Sequence, residues 1–209
     1  GFKGTWLTLW LFILGAKVTG ISNSFYTKPS HFKSLKLKRK IKHFSLDISK
    51  IELLNRIIKK SKPDIIFHLA GQSMVKKSFS NPLETWKTNS LGTINILECL
   101  RKNNKKCSLI IITSDKSYKN LEIRRGYKET DLIGGEDPYS ASKSSAEIAI
   151  QSYFKSFLNK DKKIKLAVAR AGNVIGGGDW TADRLIPDAV KSWIINKSLT
   201  VRNPISTRP

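Results

Sequence analysis

Cys107-Ser-Leu-Ile-Ile-Ile-Thr113 is a short and almost unbroken apolar run, followed at once by the polar residues Ser114-Asp115-Lys116. A run of this length, rich in isoleucine, reads as a strand buried on both faces, the kind that parallel sheets covered by helices contain. In open α/β sheets ligands sit outside the carboxyl ends of the strands. Ser114, Asp115 and Lys116 fall at that place. On either side of the run, segments with helix and strand periodicity alternate, the pattern of an α/β doubly wound parallel sheet with helices on both faces.

The flanking segments supply the other elements. Helices are expected over 5–14, with Gly15 just past the end, over 51–60, from Asn81-Pro82 to about 103, from Tyr139 to about 158, and over 182–195. Strands are expected over 16–21, 43–46, 64–70 and 164–169, and the basic stretch after Pro29 reads as a loop. Gly134-Gly-Glu-Asp-Pro138 reads as a turn, and Gly176-Gly-Gly178 as a loop whose backbone can approach a ligand closely.

The second informative stretch is Tyr139-Ser-Ala-Ser-Lys143. A tyrosine and a lysine four apart lie on one helix face, so the charge of Lys143 can favour the phenolate of Tyr139. Tyr139 is then a candidate proton acceptor, which a nicotinamide cofactor needs when it takes hydride from an alcohol. Asp115 and Lys116 add a second acid/base pair. Ordinary dehydrogenation does not need that pair, whereas loss of water from a sugar does. A chance Y-x-x-x-K and a surface ion pair are the bland readings of the two stretches.

Composition bounds the class. The 209 residues suffice for one sizeable core, and 40% hydrophobic with 26% charged residues fits a globular chain. The run from Trp6 to Leu14, broken only by Thr8, is too short to span a bilayer, for which about 20 residues are needed, and reads as a buried helix. It lacks the flanks of a signal peptide, so no membrane is expected and the cytoplasm is the default compartment. Cys99 and Cys107 lack metal-ligand spacing and read as buried thiols, and His31, His43 and His68 lie far apart, so no metal site is proposed. The formal net charge of +22, from 38 basic and 16 acidic residues, raises nucleic acid as a partner. The densest basic run, from Lys33 to Lys42, has no aromatic residue interleaved and reads as a solvated stretch; no nucleic acid is expected, and the anions in view are pyrophosphates.

With these residues in hand, the chain resembles the extended short-chain dehydrogenase/reductase superfamily, with its Rossmann-type fold and its NAD-dependent epimerase/dehydratase family, and within that the branch of dehydratases acting on CDP-glucose. Gly1-Phe-Lys-Gly4 resembles the last part of the glycine fingerprint, and Asp47-Ile48 the pair that contacts adenine. His68-Leu-Ala-Gly-Gln72 resembles the segment running beneath the cofactor, and Thr88-Asn-Ser-Leu-Gly-Thr93 places Asn89 at a family asparagine. Arg170-Ala-Gly-Asn-Val-Ile-Gly-Gly-Gly-Asp-Trp180 is the most telling match to the branch. The resemblance implies cofactor-binding roles for Gly1, Phe2, Gly4, Asp47, Ile48, Leu69, Ala70, Tyr139 and Lys143. It implies catalytic roles for Ser114, Asp115, Lys116, Tyr139 and Lys143, and sugar-nucleotide contacts at Gln72, Asn173, Arg202 and Arg208. Thr113 is a neighbouring hydroxyl and a weaker candidate than Ser114.

The implied reaction converts CDP-glucose to CDP-4-keto-6-deoxyglucose with the hydride recycled on NAD, a hydro-lyase activity of deoxysugar synthesis for polysaccharides. Two departures stand out. Related dTDP-glucose dehydratases carry aspartate and glutamate where this chain has Asp115 and Lys116, so Lys116 stands at the place of the C5 base. After the second strand, Ser22-Asn23 replaces the acidic residue many NAD users carry; NAD is preferred, with NADP left open. The two glycines that begin the chain without a strand suggest a fragment that is itself inactive. On this reading, 1–170 is a dinucleotide-binding domain without its first strand, and 171–209 begins a substrate-binding region. A nucleotide-sugar epimerase or reductase on the same fold remains the rival, and a non-catalytic basic binding protein a further one. The oligomeric state is open, with a homo-oligomer one assembly compatible with the sequence.

Overall fold

The computed structural model describes residues 1–23, 27–103, 105–160 and 163–205. The chain forms two compact units, one of Gly1–Ser45 with Asn173–Pro209 and the other of Leu46–Gly172.

The first unit holds helix α1 (Phe2–Ile13), strand β1 (Thr19–Ser22), the short helix α2 (His31–Ser34), strand β2 (Lys42–Ser45) and, after the second unit, helix α8 (Leu185–Ile194). β1 and β2 pair in parallel, Gly20 opposite His43 and Ile21 opposite Phe44, and the Ser22 hydroxyl lies 2.9 Å from His43 Nε2. Two expectations change here. The stretch read as a buried helix is helical, yet its buried residue is Thr5, while Trp10 is 64% and Ile13 70% exposed. Its apolar residues run round the whole helix, and only one side meets the unit. The basic stretch is not a plain loop: α2 and a 3₁₀ turn over Leu37–Arg39 form because Leu37 is fully buried, and the exposed lysines at 33, 36, 38 and 40 surround that one anchor.

The second unit runs α3 (Ile51–Ser61), β3 (Ile65–His68), α4 (Val75–Ser80), α5 (Pro82–Trp86), α6 (Gly92–Asn103), β4 (Cys107–Ile112), α7 (Pro138–Tyr153) and β5 (Ile164–Ala169). β4 is the middle strand of a parallel sheet ordered β3-β4-β5, with Leu109 opposite Ile66 on one side and Leu166 on the other. The α/β class with parallel pairing is thus as expected. Along β4, Cys107, Leu109 and Ile111 are buried and the alternate residues half-buried, so one face is the deeper. Leu54 and Ile58 of α3, Ile96, Leu97 and Leu100 of α6, and Ile150 of α7 are buried as well, and α6 packs against both α3 and α7. α5 and α6 form the single helix expected from Asn81-Pro82, interrupted by a π turn over Lys87–Leu91; such turns cluster at functional sites.

The start of α7 is fixed twice. Asp137 caps it, Oδ1 accepting from the amides of Tyr139 at 2.9 Å and Ser140 at 3.0 Å, and Pro138 occupies the first turn, where its missing N–H costs nothing. Gly135 lies so close that a Cβ there would come within 2.5 Å of the Ser140 and Ala141 backbone, so no larger residue fits. Tyr139 therefore enters the helix at one defined position. Asp137→Ala is expected to lower stability by about 1 kcal/mol, with Asp137→Asn retaining most of it. Urea unfolding should show this as a lower midpoint at unchanged slope.

Candidate active site

The carboxyl ends of β3 and β4, the π turn and the first half of α7 meet in the second unit. After β4 the chain turns through a 3₁₀ segment, Asp115–Ser117, capped by Ser114, whose Oγ accepts from Lys116 N at 3.2 Å and donates to Asp115 Oδ1 at 2.9 Å. The same Asp115 oxygen accepts from Lys116 N at 2.8 Å. Asp115 N donates to Ala171 O at 3.1 Å, which prolongs the β4–β5 pairing into the turn. Ser114 is buried, while Asp115 and Lys116 are exposed. α7 lies against this turn: Ser144 Oγ donates to Ser117 O at 3.0 Å, and Lys143 Nζ reaches Ile112 O at 3.4 Å. Tyr139 and Lys143 are both buried to within a tenth of their surface.

Behind them lies Asn89, on the π turn. Its Oδ1 accepts from Gln72 N at 2.8 Å, and its Nδ2 donates to Gln72 O at 3.1 Å and to Ser142 Oγ at 3.0 Å. Ser142 Oγ in turn donates to Tyr139 O at 2.7 Å. A Cβ on Gly71 would sit 3.1 Å from Asn89 Oδ1 and 3.2 Å from Lys143 Nζ, so the glycine lets the strand end come close to the lysine.

His68, at the end of β3, is buried at 4% exposure, with Nε2 3.0 Å from Thr93 Oγ1. The Thr93 hydroxyl hydrogen already goes to Asn89 O at 2.7 Å, so His68 Nε2 must be the donor, which fixes the tautomer with the proton on Nε2. Burial, and then the neighbouring Lys143 charge, push the His68 pKa down to about 3. The imidazole is neutral beside the charge of Lys143.

The remaining expected site residues divide between the units. In the second, Asp47 lines a cavity of about 450 Å³ with Ser49, Asn81, Pro82, Lys87 and Thr88, and its Oδ1 accepts from Ser49 N at 2.8 Å. Ile48 points into the core, its Cδ1 only 2.4 Å from where a Gly92 Cβ would stand, and its carbonyl accepts from Asn95 at 2.9 Å. Leu69 and Ala70 are half-buried. The Gln72 amide is taken up within the unit by Met74 O, Thr85 Oγ1 and Met74 N at 3.0, 3.0 and 2.6 Å. In the first unit, Gly1, Phe2 and Gly4 open α1, whose N-terminus has no side-chain cap and no acidic residue in its first turn; a Cβ on Gly1 or Gly4 would meet nothing within 4 Å. Uncapped helix amides beside open glycines fit an anionic pyrophosphate. Asn173 is exposed, and Arg202 is paired with Asp183 and donates to its carbonyl at 3.0 Å. Arg208 lies outside the described residues.

Glu147 and Arg170 went unassigned in the sequence reading; the signal was Glu147 one helical turn past Lys143, on the face that carries Tyr139. The Cys99 and Cys107 thiols are buried, and burial pushes both up to about 11, which leaves them unreactive. Among the described residues no helix is long and apolar enough to cross a membrane.

Residues 1–174 match the family model described as GDP-mannose 4,6 dehydratase. The chain is 43% identical over 213 aligned residues to the CDP-glucose 4,6-dehydratase of Salmonella typhimurium, an alignment covering 100% of this chain and 59% of that protein. It superposes on the dTDP-glucose 4,6-dehydratase of Streptomyces venezuelae, solved with NAD bound, at a TM-score of 0.79 with 20% identity, covering 95% of this chain and 61% of that one. The UDP-glucuronic acid 4-epimerase of Bacillus cereus, in complex with UDP-glucuronic acid and NAD, gives a TM-score of 0.80 at 23% identity, covering 96% and 62%. The chain thus spans about three-fifths of the length of these relatives.

The depressed His68 pKa makes a signed prediction. An imidazole neutral in the fold down to about pH 3, but protonated in the unfolded chain below its usual 6.5, lets the unfolded state bind the extra proton. The stability it contributes is complete above pH 6.5 and is lost as pH falls from there towards 3. His68→Asn is expected to flatten the stability–pH curve between pH 6.5 and 5 by up to about 1.4 kcal/mol per pH unit, read by urea unfolding across that range.

Proposed function

The chain belongs to the GDP-mannose 4,6 dehydratase family, and on that premise we propose that it carries the catalytic residues of an NAD-dependent sugar-nucleotide 4,6-dehydratase acting on CDP-glucose. The observation that supports this most is the exposed Asp115-Lys116 pair, held at the end of β4 against the helix that carries Tyr139 and Lys143. An epimerase or a simple reductase has work for the tyrosine and the lysine but none for a second acid/base pair. The 43% identity along the whole chain to a CDP-glucose 4,6-dehydratase is the reason to name that nucleotide.

In this reading Gly1, Phe2 and Gly4 of the first unit take the cofactor pyrophosphate, and Asp47 and Ile48 of the second lie at the adenine, Ile48 through its backbone, since its side chain is in the core. Leu69, Ala70, Tyr139 and Lys143 serve the nicotinamide end. Asn173, Arg202 and Arg208 take the diphosphate of the sugar nucleotide, and Gln72 acts through the strand end it holds. Residues 1–170 make up the dinucleotide-binding part, and 171–209 begin the part that binds substrate. When bound, NAD supplies the reversible uptake of hydride from the sugar.

Each proton has a residue. Tyr139, favoured as phenolate by Lys143, takes the proton of the C4 hydroxyl, and Ser114 holds the C4 oxygen as it becomes a carbonyl. The carbonyl acidifies the C5 hydrogen, which Lys116 removes, while Asp115 protonates the departing C6 hydroxyl so that water leaves. Hydride at C6 and a proton at C5 then give CDP-4-keto-6-deoxyglucose. Such a protein works in the cytoplasm, where nucleotide sugars are made, and a homo-oligomer is its proposed assembly.

The test uses the protein expressed from its complete reading frame. With CDP-glucose the product is expected to be a keto-deoxy sugar, identified by mass and NMR; a C4 epimer or a reduced sugar would establish the rival reading instead. Tyr139→Phe should abolish C4 oxidation. Asp115→Asn should spare oxidation and slow water loss by about 10²- to 10⁴-fold, so that the absorbance of reduced nicotinamide builds up in a single turnover of that variant alone.

A further inference from the structure

We infer that Glu147 and Arg170 form a largely buried clamp whose task is to position the turn bearing Ser114, Asp115 and Lys116, with Thr113 as its point of attachment; this rests on the dehydratase reading above. Glu147 stands on α7 one turn beyond Lys143 and two beyond Tyr139, and its side chain is 3% exposed. Arg170 follows β5 directly, and its guanidinium grips the carboxylate by Nε to Oε2 at 2.9 Å and Nη2 to the same oxygen at 2.5 Å. Nε also lies 3.0 Å from Oε1. The other hydrogen bond to Oε1 comes from Thr113 Oγ1 at 2.7 Å.

The clamp holds the catalytic turn at both ends. Thr113 is the residue before Ser114. Tyr118 is the residue after the 3₁₀ segment, and its ring lies under the Arg170 guanidinium at 4.5 Å and is stacked on Tyr127 at 4.9 Å. Between those anchors Asp115 and Lys116 are exposed and have little packing of their own to hold them. A forked guanidinium–carboxylate contact fixes direction as well as distance, which a point charge would not. Apolar residues of equal volume would serve stability about as well, because burying an ion pair forfeits much of its attraction to desolvation. What the pair adds is geometry: the helix that sets Tyr139 and Lys143 also sets the place of Asp115 and Lys116. The carboxylate hydrogen bonds also hold the Arg170 guanidinium well above its ordinary basicity. Glu147, Arg170 and Thr113 are therefore positioning residues.

Thr113→Val removes the hydroxyl at nearly constant volume and leaves Glu147 with Arg170; Thr113→Ser keeps the hydroxyl. In the protein from the complete reading frame, Thr113→Val is expected to lower kcat on CDP-glucose by up to about 10²-fold at little changed KM, with reduced nicotinamide building up, and Thr113→Ser to restore most of the rate. Amide exchange at Asp115, Ser117 and Tyr118 should quicken in the valine variant and recover in the serine variant, while amides 142–150 of α7 stay protected. Unchanged kcat and exchange in Thr113→Val would overturn the clamp. So would a general loss, in which α7 protection, melting temperature and both half-reactions fall together and serine does no better than valine. If the unaltered protein forms no keto-deoxy sugar, the substrate reading has failed, and exchange at 115–118 alone decides the clamp: quickened by valine and restored by serine supports it, unchanged overturns it.

Discussion

The side chain of Asn89 holds together the segments on which the site is built. A carboxamide accepts and donates at once, so one residue satisfies both the N–H and the carbonyl of Gln72 after β3 and still reaches Ser142 on α7. Aspartate in its place could not donate, and leucine would leave two buried backbone groups without partners at about 1–3 kcal/mol each. Asn89 can do this because it stands on a π turn, where one extra residue per turn shifts the register between α5 and α6. Ser90, its neighbour on the turn, donates to Ser142 O at 2.8 Å and holds the same point of α7 a second time.

Burial of charge sets the next constraint. Lys143 is 9% exposed and Glu147 2%, one helical turn apart, yet each is managed separately. The lysine stands beside a histidine held neutral and donates to the Ile112 carbonyl, while the glutamate has its own arginine. Arg170 occupies the carboxylate with a bidentate geometry that lysine cannot reproduce.

The exposed half of the machinery is organised differently from the buried half. Ser114, Asp115 and Lys116 are tied mainly to one another and to the backbone of residue 171, the arrangement of a cap and a short 3₁₀ turn. Such a segment opens more readily than a helix packed on a sheet. Restraint from outside the turn comes from Ser144 of α7, which donates to Ser117 O, and from the flanking residues Thr113 and Tyr118, which meet α7 and Arg170.

By itself the sequence determined the alternation of strand and helix, the central strand 107–112, and the position of the polar residues at its end, because these follow from local periodicity and from the chirality of parallel sheets. It also determined that Tyr139 and Lys143 share a helix face, a property of spacing alone. Other features were decided only by the tertiary structure. Gln72 and Ile48 look in sequence like ligand contacts, but the fold turns their side chains inward, since Thr85, 13 positions on, takes the Gln72 amide and Gly92 on α6 lies against Ile48. Leu37 makes structure within a run of lysines, and α1 leaves tryptophan exposed, because burial depends on which surface another segment covers and not on hydrophobicity in the chain. The partnership of Thr113, Glu147 and Arg170 joins residues 34 and 23 positions apart on a strand end, a helix and another strand end. No local pattern encodes such a contact; only packing α7 across β4 and β5 brings the three groups within hydrogen-bonding distance.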